Sequence, residues 1–234
     1  MRIAGGKTTV DYSIKPNRII GSFRQMSIIS FSSSSLSTLF TVNSMAEHID
    51  RTRLNTDLRY RFDYLSKVLD FTSTDIAILN QISTIIQPLI PVIVDQVYRK
   101  LFSFDITKQY LVLRHSCLAN ILPTDFHLQG LEYRKNMLSD YLKHVFTEQQ
   151  WNETFLDYLS SVARIHTDQA GSPAIQVDHI HVNIFCGLVE QILLDIILKN
   201  STLNQQIKSG AVLAINKFFW IQNNIFSMNY GYDF

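Results

Sequence analysis

The sequence predicts an all-α fold, and three observations carry that expectation. Residues 46–234 hold five glycines and four prolines, too few for the turns that separate many short strands. Apolar residues in several long segments recur every three or four positions, the spacing of a helix face. The segments open on helix start signals, such as Ser73-Thr74-Asp75 and the prolines at 88 and 91.

Residues 1–46 differ from the rest. They hold ten serines, five basic residues and a single acid, Asp11. That bias resembles an organelle transit segment; a disordered tail or an over-extended start ahead of Met45 fits equally. A secretory signal is disfavoured because Ser32 to Ser35 interrupt the apolar stretch. Residues 47–234 are therefore read as the folded domain, in the cytoplasm, or in mitochondria if the first 46 residues direct it there. With 46% apolar and 12% aromatic residues, the chain can bury one sizeable core.

A first helix is expected over 73–84 and a second from Pro88 or Pro91 to about 103. The stretch 76–94 is uncharged, but Asn80, Gln81, Ser83, Thr84, Gln87 and two prolines load it too heavily for a membrane span. Buried helices meeting at a proline break account for it. A further helix spans about 129–146, and another begins at Thr147-Glu148 and carries Trp151, Phe155, Tyr158, Leu159 and Val162. Between 177 and 198, apolar pairs repeat every four residues, the pattern of a deeply packed helix. After the polar break at 200–204, a last helix carries Val212, Ile215, Phe218, Phe219, Ile225 and Phe226. Its apolar surface is too wide for one packing partner, so an extra wall is expected, either a cofactor edge or a second subunit.

Net charge is +1, from 21 basic and 20 acidic residues, and no basic stripe interleaves with aromatics; nucleic acid is not an expected partner. Cys117 and Cys186 are the only cysteines, which excludes a disulfide scaffold and suits a reducing compartment.

His166 falls where the stripe of Phe155, Tyr158, Leu159 and Val162 puts its next inward residue, ahead of a polar loop with Gly171 and Pro173. Position alone leaves it either a hydrogen-bonded core histidine or a ligand at a cofactor edge. Tyr98 lies at the margin of an apolar helix face, with a hydroxyl that reaches either the surface or a pocket. Phe185 and Val189 share the most apolar helix and line either a protein core or a flat cofactor.

From about 49 to 230 the chain resembles the single-domain protoglobins and, more distantly, the sensor domains of globin-coupled sensors. Ile49-Asp50-Arg51 and Asp57-Leu58-Arg59-Tyr60-Arg61-Phe62 resemble the family's extra helix ahead of the usual globin helices. Val94-Asp95-Gln96-Val97-Tyr98-Arg99-Lys100-Leu101 is similar to its second core helix. Arg164-Ile165-His166-Thr167, Gly171 and Val182-Asn183 are similar to its proximal histidine, the following loop and the penultimate helix. Lys217-Phe218-Phe219-Trp220-Ile221-Gln222-Asn223 is similar to its last helix.

The resemblance implies a globin-like helical sandwich with an additional N-terminal helix, holding haem b between the helices that bear His166 and Tyr98. His166 is then the proximal iron ligand, and Phe185 and Val189 lie against the macrocycle. Val97, Phe102, Leu138, Tyr141, Leu142 and Val162 complete the pocket. Val97 departs from the bulky aromatic that some members carry there, and which of Met137, Leu138, Tyr141 and Leu142 forms the distal wall is open.

The implied activity is reversible binding of O2, CO or NO, for oxygen binding or gas sensing rather than enzymatic turnover, with Tyr98 slowing the escape of a ligand that carries negative charge. No acid–base pair suggests nitric oxide dioxygenation or peroxidase-like chemistry. The breadth of the last two helices suggests a homodimer. Two other classes compete: a non-haem iron enzyme using His166, Asp168 and His179 or His181, and a cofactor-free helical interaction module.

Overall fold

The computed structural model describes residues 46–112, 124–167 and 177–231, and every regular element among them is helical. In chain order these are α1 (Arg51–Thr56), α2 (Leu58–Leu69), α3 (Ser73–Ile86), a 3-10 turn (Gln87–Leu89), α4 (Ile90–Phe102), α5 (Asp105–Val112), α6 (Thr124–Thr147), α7 (Glu153–Arg164), α8 (His179–Lys199) and α9 (Gln205–Asn229). They belong to one compact unit, Ile49–Phe234.

Side chains that accept from orphan backbone N–H groups set most of the helix starts. Asp50 accepts from Thr52 N and Arg53 N, and Asp57 accepts from Tyr60 N. The additional N-terminal helix is therefore broken in two at Asp57, whose extended backbone (φ −117°, ψ 101°) ends α1 while its carboxylate opens α2. Thr72 and Asp75 cap α3 reciprocally, and Lys217 Nζ from α9 lies 3.1 Å from Asp75 Oδ1. Asn152 caps α7, which moves its start from the expected 147 to Glu153 and leaves Trp151 just ahead of the helix. Asn204 caps α9.

The expected proline break is present. Pro88 sits in the 3-10 turn and Pro91 in the first turn of α4, where a missing N–H costs nothing. Ser73–Phe102 and His179–Lys199 are long and apolar enough to cross a membrane by length and composition, but each presents a face to the shared core, through Leu79, Ile82, Ile86, Ile90, Ile93, Val94 and Val97 in the first and Val182, Val189, Leu193 and Ile197 in the second.

Helix α9 is the central element. It buries Ala211, Ala214, Ile215, Phe218, Ile221, Ile225 and Phe226 against α2, α3, α7 and α8 together. Four partners within the chain cover much of its wide apolar surface, while Leu213 and Trp220 remain exposed. Two elements were not foreseen in their extent: α5, whose short run carries no strong periodicity, and the first turn of α6, which starts at Thr124 rather than near 129.

An aromatic cluster fixes the N-terminal helices to the rest. Trp151 lies 6.0 Å from Phe62, 4.8 Å from Phe71, 5.0 Å from Phe155 and 5.7 Å from Phe218, ring centroid to centroid. Beside it, buried Arg61 donates to Asn224 Oδ1 at 2.6 Å and to Leu54 O at 2.9 Å, tying α2 to both α9 and α1.

Candidate functional site

His166 stands two residues past the last residue of α7, in a turn held by His166 N to Ala163 O at 3.1 Å and Thr167 N to Arg164 O at 2.9 Å. Its ring is half-buried, and Nδ1 lies 2.8 Å from Val162 O. A carbonyl only accepts, so the proton is on Nδ1 and, in the neutral ring, the lone pair is on Nε2. Histidines that bind a metal through Nε2 use this tautomer, and a backbone carbonyl is one of the partners that orient such a ring. Phe226 of α9 meets the imidazole edge-on, centroids 5.5 Å apart.

Tyr98 is buried in α4, and burial pushes its hydroxyl up to about 12, with the Arg134 charge pulling the other way. It therefore stays a neutral O–H donor at any physiological pH. Tyr98 and Phe102 border a cavity of about 500 Å3 that is also lined by Asp95, Arg99, Ser103, Leu131 and Lys135. Lys135 Nζ is 2.6 Å from Asp95 Oδ1 there, joining α6 to α4.

Val97, Tyr98, Leu138, Tyr141, Leu142 and Val189 all lie in the one buried core, with Phe102, Val162 and Phe185 packed against its edge. Of the four α6 residues left open by the sequence, Met137 is exposed, whereas Leu138, Tyr141 and Leu142 are buried. The Tyr141 hydroxyl donates to Gln222 Oε1 at 3.2 Å, and Gln222 Nε2 reaches Leu159 O at 3.5 Å, so α6, α9 and α7 meet through one buried polar chain. Burial holds the Tyr141 hydroxyl well above its ordinary range and the Cys186 thiol at about 12. Among the described residues, ring contacts between α6 and α7 lie at their junction, where His144 meets Phe155 and Tyr158.

Sequence reasoning missed two polar residues here. Arg134 donates to Tyr110 O at 3.3 Å and Leu111 O at 2.9 Å, capping the end of α5, and its charge reaches Tyr98. Gln222 was matched only as part of a segment, and its helical spacing gave no cue that an amide would be fully buried. For the non-haem reading, Asp168 lies outside the described residues, His179 Nε2 is 3.2 Å from Ser227 Oγ, and the His181 ring lies 5.5 Å from that of Tyr110. Among the described residues, no three His, Cys, Asp or Glu side chains gather as a metal site.

The residues fit an iron porphyrin by donor chemistry: one imidazole in the ligating tautomer, one neutral tyrosine, and the apolar Leu138, Val162, Phe185 and Val189. No curated protein matches the chain. Among solved structures, the fold is similar to the globin domain of the Geobacter sulfurreducens globin-coupled sensor, with a TM-score of 0.58 and 18% identity over 72% of this chain and 97% of that one. The sequence matches the protoglobin family over residues 58–233. That match runs from the first residue of α2 to beyond the end of α9, on an all-helical globin fold, and the chain belongs to the protoglobin family.

Proposed function

We propose that this chain holds haem b through His166 and reversibly binds a diatomic gas beside Tyr98. One observation carries the reading: the Nδ1–H of His166 is committed to Val162 O, which turns the ring into the tautomer that can ligate. When bound, the group supplies an iron with one coordination position open to O2, CO or NO.

The chain's own residues do the rest. His166 provides a neutral imidazole whose orientation is set by Val162 O and by the edge contact with Phe226. Tyr98, kept protonated by burial, offers a hydrogen bond to a small ligand that carries partial negative charge. Such a bond is worth about 1 kcal/mol net, roughly fivefold in affinity, and more where charge assists. Carbon monoxide, with less charge on its outer atom, gains less from the same donor. Phe185 and Val189 on α8, with Leu138 and Leu142 on α6, keep the surroundings apolar.

The test is the visible spectrum of the full chain expressed with haem available, with and without O2 and CO, repeated for His166→Ala. A Soret band that the alanine variant loses or alters supports the reading. A colourless wild type, or an alanine variant with an unchanged five-coordinate spectrum, overturns it. For Tyr98→Phe, the oxygen off-rate should rise about fivefold or more, and equal rates would remove Tyr98 from the mechanism.

Exposed Ile184 on α8 and exposed Leu213 and Trp220 on α9 support a homodimer through these two helices. Trp220→Glu should then shift the sedimentation profile to monomer.

A further inference from the structure

The last turn of α9 grips the segment that carries the candidate iron ligand. At its C-cap, the Tyr230 hydroxyl lies 2.7 Å from Val177 O and 3.2 Å from His166 O, so its one proton is shared between the two carbonyls. Val177 N donates to the same His166 O at 3.1 Å. Tyr230 is itself steadied by the His179 ring, edge-on at 5.0 Å.

Gln222, Phe226 and Tyr230 are spaced four residues apart, one stripe of a single helix. They touch Leu159 O, the His166 ring, and the His166 and Val177 carbonyls in turn. Asn229, on the same helix end, adds a bond from its Nδ2 to Ser160 Oγ at 3.2 Å.

From this geometry we infer that Tyr230 is a positioning residue for the proximal ligand: its hydroxyl holds the backbone at both His166 and Val177 and so fixes how the imidazole is presented. The inference rests on His166 being the iron ligand, and it deepens that reading. Two hydrogen bonds to the backbone of His166, one from the hydroxyl and one from Val177 N, leave the residue few ways to swing without breaking the latch.

Tyr230→Phe tests this with little risk to folding, because it keeps the ring against His179 and removes only the hydroxyl. In the haem-loaded full chain, the iron–histidine stretching band should shift or broaden. Amide exchange at Val177, followed with and without haem, should quicken about fivefold, the equivalent of one lost hydrogen bond of about 1 kcal/mol. Ser160→Ala loosens the same helix end while keeping the Tyr230 hydroxyl on both carbonyls, and should leave both readouts in place.

If wild type shows the band and Tyr230→Phe leaves its position and width unchanged, the latch is wrong while the haem reading stands. Equal movement in both variants also overturns the latch, since general loosening then explains it. A wild type without any iron–histidine band removes both the ligand assignment and the inference built on it.

Discussion

The buried chain Tyr141–Gln222–Leu159 can be taken apart by a double-mutant cycle. Replacing Gln222 with Leu keeps the volume but leaves the Tyr141 hydroxyl buried without its acceptor, which costs about 1–3 kcal/mol. The second bond, Gln222 Nε2 to Leu159 O, is long at 3.5 Å and adds little. A loss of about 2 kcal/mol is therefore expected for Gln222→Leu, and for a domain of this size it corresponds to a fall in Tm of roughly 4–8 °C. Tyr141→Phe strands the amide oxygen instead and should cost about 1–2 kcal/mol. In the double variant neither group is left unpaired, so the two penalties overlap and the total should fall short of their sum by about 1 kcal/mol or more. Urea denaturation of the four proteins at one pH measures all the terms. Strictly additive losses would show that the two side chains do not depend on each other, and the argument that this polar chain is a single unit would fail.

Asp75→Ala removes both the Asp75 half of the capping box of α3 and the partner of a mostly buried Lys217, and should destabilise the chain by about 3 kcal/mol, against less for Lys217→Met, which leaves the capping box intact; chemical denaturation compares them. Because burial pushes the Cys186 thiol up to about 12, it stays protonated and shielded at pH 8, so in a Cys117→Ser background a thiol-labelling reagent should react with it only after denaturant is added. Tyr98 is raised in the same sense, so its neutral donor form persists well above pH 10, and the oxygen off-rate of the loaded protein should stay flat between pH 7 and 10 where a solvent-exposed tyrosine would begin to ionise.

Much of this fold was legible because its helices follow simple periodicity and its breaks are chemical. Ser73-Thr74-Asp75, Pro88, Pro91 and the polar stretch at 200–204 act in the structure as helix starts and interruptions, as read from the residues alone. Boundaries moved where a single side chain decided them: Asn152 starts α7 at Glu153, and Asp57 cuts the N-terminal helix in two. The breadth of α9 was legible from periodicity, but the way its neighbours divide that surface was not, because periodicity reports how much surface is apolar and not how many elements share it. For the site, the stripe leading to His166 predicted an inward ring, and the structure makes it half-buried with its orientation fixed by Val162 O, a partner four residues back that no side-chain pattern encodes. Arg134 and Gln222 were hidden for the same reason: their partners are backbone carbonyls or distant residues, which come together only once the helices cross.

The cluster around Trp151 bears on how far the chain can be shortened. Phe62 and Phe71 come from ahead of α3, yet they cover an indole that also touches α7 and α9. Trimming to residue 73 would uncover the indole and remove Arg61 from Asn224, two residues ahead of Phe226, whose ring meets His166. A chain shortened past Phe62 should therefore lose stability around α9, although the cut removes none of the residues proposed to hold haem.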